Sequence, residues 1–215
     1  MIDRQIIENH ISLDFWGTLV FSNDDFRKAR ALFLANELNK NPNEISNSFK
    51  QIGENYNHFQ EKGLNNTEPI ELFKEVVKHL NIEENTIDIK SLFIKVLDIF
   101  IENYPIINSD LKSIIDRSVE NGRTVSILSN TAFIPGTVIS EFLDNNFGVN
   151  YFSFKIFSDE VKIAKPNSEI YKLTYDNINL IYPSGIDKNK ILHIGDNYNN
   201  DLIGAQKFGY NSYLI

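Results

Sequence analysis

Apolar positions recur along this chain with two different spacings, and the places where the spacing changes divide it. Ile11-Ser12-Leu13-Asp14-Phe15-Trp16-Gly17-Thr18-Leu19-Val20 begins as a short buried strand of apolar and β-branched residues. That strand ends on a carboxylate and turns at a glycine. Asp14 therefore stands at the carboxyl end of a strand, the edge at which open parallel α/β sheets bind ligands. From Ser22-Asn23-Asp24-Asp25, where Ser22 can cap a helix with acidic residues in its first turn, the spacing becomes helical and stays so to about Asn103. Phe26, Ala29, Phe33 and Leu34 form one stripe, and Ile45, Phe49, Ile52 and Tyr56 a second. Thr67 and Pro69 open a third helix carrying Ile70, Phe73, Val76, Val77 and Leu80, and a fourth carries Ile89, Leu92, Phe93, Val96, Leu97 and Phe100. No strand alternation interrupts them.

Beyond Pro105 the period alternates. Ser109 can cap a helix through Leu111, Ile114, Ile115 and Val119, which Asn121-Gly122 stops. A strand at Thr124–Leu128, a helix around Val138–Leu143, a strand near Phe152–Phe157 and a helix from about Ser168 follow. A strand at Ile191–Ile194, a helix at Asp201–Phe208 and a last strand at Ser212–Ile215 complete the pattern. Strands alternating with helices predict a parallel sheet with helices on both faces.

Composition narrows the function classes. The 215 residues admit one domain with a large insertion or two small domains, and 42% hydrophobic with 23% charged residues is the balance of a globular chain. A net charge of -8 supplies no basic face for a nucleic-acid partner. The absence of Cys excludes disulfides, a zinc-thiolate site and a cysteine nucleophile. Met1-Ile2-Asp3-Arg4-Gln5 has no signal-peptide pattern, and no apolar run approaches the length of a membrane span. The expectation is a cytoplasmic protein without membrane partners, as a monomer or homodimer.

Three later stretches give Asp14 its context. Ser129 ends the run Thr124-Val125-Ser126-Ile127-Leu128, Lys165-Pro166 follows a charged loop, and Gly195-Asp196 closes Ile191-Leu192-His193-Ile194 with Asp201 five positions on. Here the chain resembles the haloacid dehalogenase superfamily of hydrolases. The family's motifs are a nucleophilic Asp before a Gly-Thr turn, a Ser or Thr after a second strand, a Lys, and a Gly-Asp-x-x-x-x-Asp acidic loop. All four stand in order from Ile11 to the C-terminus. The resemblance implies a doubly wound, Rossmann-like α/β core from residues 1–21 and 105–215. It also implies an inserted α-helical cap of the family's first cap class over residues 22–104.

It implies a chemistry as well. Two carboxylates brought together in a cleft repel unless a hard cation lies between them, so Mg2+ is the expected cofactor. Its ligands would be Asp14, Asp196 and the backbone carbonyl of Trp16, with Asp201 holding metal-bound water or completing the shell. Asp14 would attack phosphorus to form an aspartyl-phosphate. Lys165 and the metal would neutralise the transferring group, while Ser129 and backbone N–H groups after Asp14 and Ser129, the first being that of Phe15, would bind its oxygens. Thr18 and Asn130 are supporting candidates, and His193 reads as a strand residue packed beside the site. The expected substrate is a small phosphorylated metabolite.

One position departs from the family. Members that hydrolyse phosphate esters usually carry a second Asp two residues after the nucleophile, as acid and base for the leaving group and water; here it is Trp16. Loss of general acid-base catalysis, typically about 10²–10⁴-fold, costs roughly 3–5 kcal/mol of barrier lowering for a poor leaving group and less for an acyl phosphate or phenolate. The dehalogenating branch carries an aromatic there, usually Tyr, attacks carbon without a metal, and is matched also by Asn130. Its acidic loop lacks the Gly-Asp start that Gly195-Asp196 retains. A 2-haloacid dehalogenase and a catalytically idle binder of phosphorylated ligands or protein partners are the alternatives. Substrate selection is expected in the cap, where Arg27, Lys28 and Arg30 cluster and Asn55-Tyr56-Asn57-His58 reads as a loop before Gly63. The Phe-rich stripes read as the cap's own core.

Overall fold

The computed structural model describes residues 6–62 and 66–215. Met1–Gln5 and Gly63, both used above, lie outside the described residues. In chain order the elements are β1 (His10–Leu13), β2 (Val20–Phe21), α1 (Asp24–Leu38), α2 (Pro42–Glu61), α3 (Pro69–His79), α4 (Ile89–Glu102), β3 (Ile106–Ile107) and α5 (Ser109–Glu120). They continue with β4 (Thr124–Ser129), α6 (Gly136–Phe147), β5 (Lys155–Phe157), α7 (Ser158–Val161), α8 (Ser168–Ile181), β6 (Ile191–Gly195), α9 (Gly204–Phe208) and β7 (Asn211–Leu214).

Five parallel strands form one sheet in the order β5-β4-β1-β6-β7. Side chains alternate across a strand, and here successive residues feed two separate apolar clusters. Ile11, Leu13, Val125, Ile127, Leu192 and Ile194 pack with Leu111 and Ile115 of α5 and Ile139, Phe142 and Leu143 of α6. Leu128, Ile156 and Ile191 pack on the other side with Ile170, Tyr171 and Ile178 of α8 and Ala205 of α9. Helices therefore cover both faces, the doubly wound α/β arrangement that the alternation predicts.

Between the short antiparallel pair β2–β3 the described elements are helical, α1 through α4. Each helix starts where local chemistry allows. Asn23, not Ser22, caps α1 by accepting from the Asp25 N–H at 2.9 Å, and Asn41 with Glu44 forms a capping box ahead of Pro42 in α2. Asn108, not Ser109, caps α5. In each shift an Asn whose carbonyl reaches the N-terminal N–H groups stands next to the Ser. The segment Asn55–His58 is the last part of α2 rather than a loop. The helical segment shares one continuous apolar cluster with the sheet, in which Phe26, Leu34, Phe49, Phe73 and Phe100 join Phe15 and Phe142. No described helix is long and apolar enough to cross a membrane.

One glycine sets the spacing of α6 on β5. A Cβ built on Gly136 would lie 2.4 Å from Cβ of Phe157, which is anchored in the buried end of β5 and cannot swing away. Gly136→Ala is expected to lower stability by about 1–3 kcal/mol through overpacking, measured as a fall in the urea midpoint at unchanged m-value.

Candidate active site

The register of β1 sets Leu13 opposite Ile127 of β4 and Ile194 of β6. One or two residues further on, Asp14, Ser129 and Asp196 emerge together at the carboxyl edge. The backbone N–H of Asp14 still donates to the Ile194 carbonyl at 2.9 Å, so the strand ladder holds the residue in place. The turn that follows needs Gly17, which adopts φ 72°, and a Cβ there would come within 2.1 Å of the Asp196 carboxylate. Gly195 does the same for the other acid, since its Cβ would lie 2.2 Å from Cγ of Asp201. Both glycines are thus places where a carboxylate lies against backbone.

Lys165 joins these groups. Its ammonium, 1% exposed, donates to Asp14 Oδ1 at 2.8 Å, to Asp201 Oδ1 at 2.6 Å and to the Leu128 carbonyl at 2.8 Å. That is its full complement of three donors. Ser129 Oγ donates to the same Asp14 Oδ1 at 3.0 Å. Among the described residues no protein group is hydrogen-bonded to Asp14 Oδ2. Asp201 is held from both sides: Oδ1 also accepts from His193 Nε2 at 3.1 Å, and Oδ2 accepts from the Asn197 N–H at 2.9 Å. His193 Nδ1 in turn takes the Ser12 hydroxyl at 2.9 Å, so this buried imidazole is a structural support beneath the site.

The electrostatics follow from burial and from the one cation. Burial raises Asp14 to about 6, with Lys165 opposing the rise and Asp201 adding to it. Burial acts the same way on Asp201, but there the Lys165 charge and the hydrogen bonds from His193 and Lys165 prevail and hold the carboxyl well below its ordinary range. Burial would lower Lys165, yet the two carboxylates keep its pKa above the usual value. His193 is lowered by burial and stays neutral. Asp196 is raised by burial and by Asp201, and among the described residues no cationic side chain pairs with it.

Carboxylate oxygens of Asp14, Asp196 and Asp201 lie within 4.8 Å of one another. Three hard oxygen donors and one ammonium leave two uncompensated negative charges, which is the donor set and charge that a divalent cation such as magnesium fits. Asp14 and Asp196 keep free lone pairs for such an ion, whereas Asp201 is already occupied by three protein donors.

The remaining predicted residues divide. Trp16 lines the cavity over Asp14, whereas Phe15 is outside its lining: the side chain is fully buried in the core, in edge contact with Trp16 and Phe142, and its carbonyl accepts from the N–H groups of Leu19 and Val20. Asn130 lines the cavity, and its amide holds Lys165: Nδ2 donates to the Lys165 carbonyl at 2.9 Å and Oδ1 accepts the Lys165 N–H at 2.8 Å. Its side chain fixes the lysine segment, and among the described residues the second N–H of Nδ2 has no protein acceptor, which leaves it for a ligand. Thr18 is buried outside the cavity lining with its hydroxyl unpartnered, so its side chain does not reach the site.

Above Asp14 opens a cavity of about 640 Å³. It is walled by Trp16, Phe26, Phe49, Phe100 and Phe133 together with Arg27, Arg30 and Lys50, so several Phe residues that pattern as helix core also present a surface to it. Sequence reasoning missed Gln60 and Asn197. Gln60 Nε2 donates to the Thr131 carbonyl at 3.1 Å and Asn197 Nδ2 to Glu61 at 3.0 Å, so both tie α2 to the loops of the sheet edge. A buried polar residue late in an amphipathic helix was the signal for Gln60.

Comparison with known proteins agrees with this geometry. The haloacid dehalogenase-like hydrolase family model matches residues 9–209. No curated protein matches the chain significantly. Among solved structures, the HAD-hydrolase YfnB of Bacillus subtilis, bound to magnesium, is 18% identical with a TM-score of 0.68 over 97% of this chain and 86% of that one. A HAD phosphatase from Thermococcus onnurineus is 14% identical, TM-score 0.64, over 96% and 86%. A 2-haloacid dehalogenase from Pseudomonas syringae pv. Tomato DC3000 is 12% identical, TM-score 0.61, over 97% and 86%. At these identities the structures speak for the fold, and it is the family match over nearly the whole chain that shows the protein to be a member of the haloacid dehalogenase-like hydrolases.

Proposed function

We propose that the protein is a magnesium-dependent phosphohydrolase acting on a small phosphorylated metabolite through an aspartyl-phosphate on Asp14, with residues 22–104 as a cap over the site. The observation that carries this is the asymmetry of the Asp14 carboxylate. Oδ1 is held by Ser129 and Lys165, while Oδ2 has no protein donor among the described residues. An oxygen fixed on one side leaves the other to attack phosphorus in line, forming the Oδ2–P bond as the ester P–O bond breaks. Lys165 keeps Asp14 ionised and remains beside the transferring group. Bound magnesium would supply the charge that offsets the carboxylates and the phosphoryl oxygens, with Asp14 and Asp196 as its side-chain ligands.

Trp16 limits the leaving group. With no proton to give, the site suits a group that departs as a stable anion, such as a carboxylate from an acyl phosphate or a phenolate. Trp16 and Asn130 also favour a second reading, carbon–halogen hydrolysis without a metal. That reading has no use for Asp196, a carboxylate that lies against Gly17 with no ion pair among the described residues, and therefore ranks below phosphoryl transfer.

The deciding experiment measures phosphate release from acetyl phosphate and p-nitrophenyl phosphate with and without magnesium, for wild type and Asp14→Asn. Metal-dependent turnover that falls to background in the variant is expected. A folded, magnesium-binding protein with no turnover would overturn the proposal, and chloride release from 2-chloropropionate without metal would install the dehalogenase reading instead.

Two further outcomes follow from the same residues. Trp16→Asp should raise turnover of an alkyl phosphate relative to acetyl phosphate by up to about 10²–10⁴-fold, read from the ratio of kcat/KM values. Asp14→Asn should change heat stability with pH. Because the folded pKa of about 6 exceeds the ordinary carboxyl value of 3.8, ionisation of Asp14 weakens the metal-free fold as pH rises from about 4 through 6. In EDTA at pH 8 the variant should melt about 3–8 °C above wild type, and the difference should vanish below about pH 4.

A further inference from the structure

Three basic residues of α1 stand close together, and their surroundings differ. Arg27 pairs with Asp24 at 3.1 Å and Lys28 with Asp25 at 3.8 Å, both at the solvent surface. Arg30 pairs with nothing among the described residues. Its guanidinium carbon lies 3.6 Å from the ring centre of Phe49 and 5.1 Å from that of Phe26, and its Nε is closed off from solvent with no hydrogen-bond partner. Stacking on aromatic faces orients a guanidinium and leaves the donors on its edge unsatisfied. A desolvated charge without a counter-ion is costly to keep, and burial draws the Arg30 pKa down to about 9. It remains a cation at neutral pH.

Arg30 lines the cavity over Asp14. The acidic residues of that lining are Asp14, Asp196 and Asp201, all at its floor, so the wall carrying Arg30 offers the guanidinium no carboxylate. Between floor and wall runs a continuous aromatic strip. Trp16 meets Phe100 at 6.1 Å, Phe100 meets Phe26 at 5.3 Å, and Phe26 meets Arg30. The volume of about 640 Å³ is ample for a metabolite that spans both ends.

We propose that Arg30 forms a second anion subsite, so that the substrate is a phosphate ester with an apolar, planar middle and a further anionic group, carboxylate or phosphate, at its far end. This rests on the phosphoryl reading of Asp14 and adds the substrate class. The reacting phosphoryl group sits at Asp14 and Lys165, the middle lies along Trp16, Phe100 and Phe26, and the distal anion takes the free donors of Arg30. Arg30 is a specificity residue in this scheme and does not touch the reacting atoms.

Trp16 is the chain's one tryptophan, so intrinsic fluorescence reports occupancy of the cavity without turnover. The probes are benzylphosphonate, 4-(phosphonomethyl)benzoate and p-xylylenediphosphonate, titrated into the magnesium-loaded protein. Wild type is expected to bind one or both of the two-anion probes about 10–100-fold more tightly than benzylphosphonate, the value of a charge-assisted hydrogen-bonded pair. The better of the two identifies the distal group as carboxylate or phosphate. Arg30→Met should abolish the ratio, and Arg30→Lys, which keeps the charge without the fork, should retain part of it. Equal affinity of the three probes for wild type, no binding of any of them, or a ratio that survives Arg30→Met would each overturn the proposal. If Arg30→Met does not fold, the wild-type ratio and the Arg30→Lys ratio decide. Because the phosphonates are not hydrolysed, a preserved two-anion advantage beside absent phosphate release would overturn the hydrolase reading alone and support the subsite.

Discussion

The ammonium of Lys165 between Asp14 and Asp201 is the interaction on which the rest of the structure depends. A lysine withdrawn from water to this degree is tolerable only if every donor is used and its charge is met. The three acceptors come from different parts of the sheet: Asp14 follows β1, the Leu128 carbonyl belongs to β4, and Asp201 lies in the wide turn after β6. Satisfying the lysine therefore requires β4, β1 and β6 to be adjacent and in register. The order of the three central strands and the geometry of the edge are one constraint seen from two sides.

Asp201 is the pivot of that arrangement, and its support comes from an unusual feature of the sheet. On the face opposite Ile11 and Leu13, β1 buries His10 and Ser12, and β4 and β6 bury Ser126 and His193 beside them. His10 bonds Thr124 at 2.7 Å and Ser126 at 2.8 Å, while Ser12 bonds His193, which bonds Asp201. Burial holds His10 down at about 3, so both imidazoles of this seam are neutral. A polar seam inside a sheet is acceptable when every member is satisfied, and it then specifies register more sharply than apolar packing does. Here it transmits that register to a carboxylate at the active edge.

How much of this the sequence discloses depends on the range of the interaction. Periods of 2.0 and 3.6 report local burial, which is why the strands after Asn9, Arg123 and Lys190 and the four helices of the central segment are legible. Asp14, Ser129, Lys165, Asp196 and Asp201 are legible because they stand in the order of the motifs of the haloacid dehalogenase family; any one of them alone reads as an ordinary turn or surface residue. The side-chain commitments are not, since they are settled by partners far along the chain. Nothing near Asn130 announces that its amide is bound by the backbone of Lys165, and nothing near Thr18 shows that it is buried outside the cavity lining. The two-residue strands β2 and β3 are too short to register as a period, and they pair across the whole helical segment. Asn55–His58 reads as a loop from its polar composition, but Tyr56 and Gln60 carry the buried stripe of α2 through it. Arg30 stands out in sequence only as one of three basic residues; the absence of a partner is a tertiary fact.

Trp16 is best understood through its neighbours. It lies in edge contact with Phe15 at 4.9 Å and with Phe100 of α4 at 6.1 Å, so one face belongs to the turn after Asp14 and the other to the helical segment. Phe100 continues to Phe26 and Tyr104, and Tyr104 to Phe142 on α6. An acid at position 16 would break this aromatic run, because Phe15 and Phe100 would lose the ring edge they share. The indole instead extends the apolar wall of the cavity down to Asp14. Aromatic packing and acid catalysis are thus mutually exclusive demands on this position, and the chain meets the first. A site built this way favours a ligand whose reacting group needs no proton donor and whose body is apolar, and that combination is also what the aromatic strip between Asp14 and Arg30 accommodates.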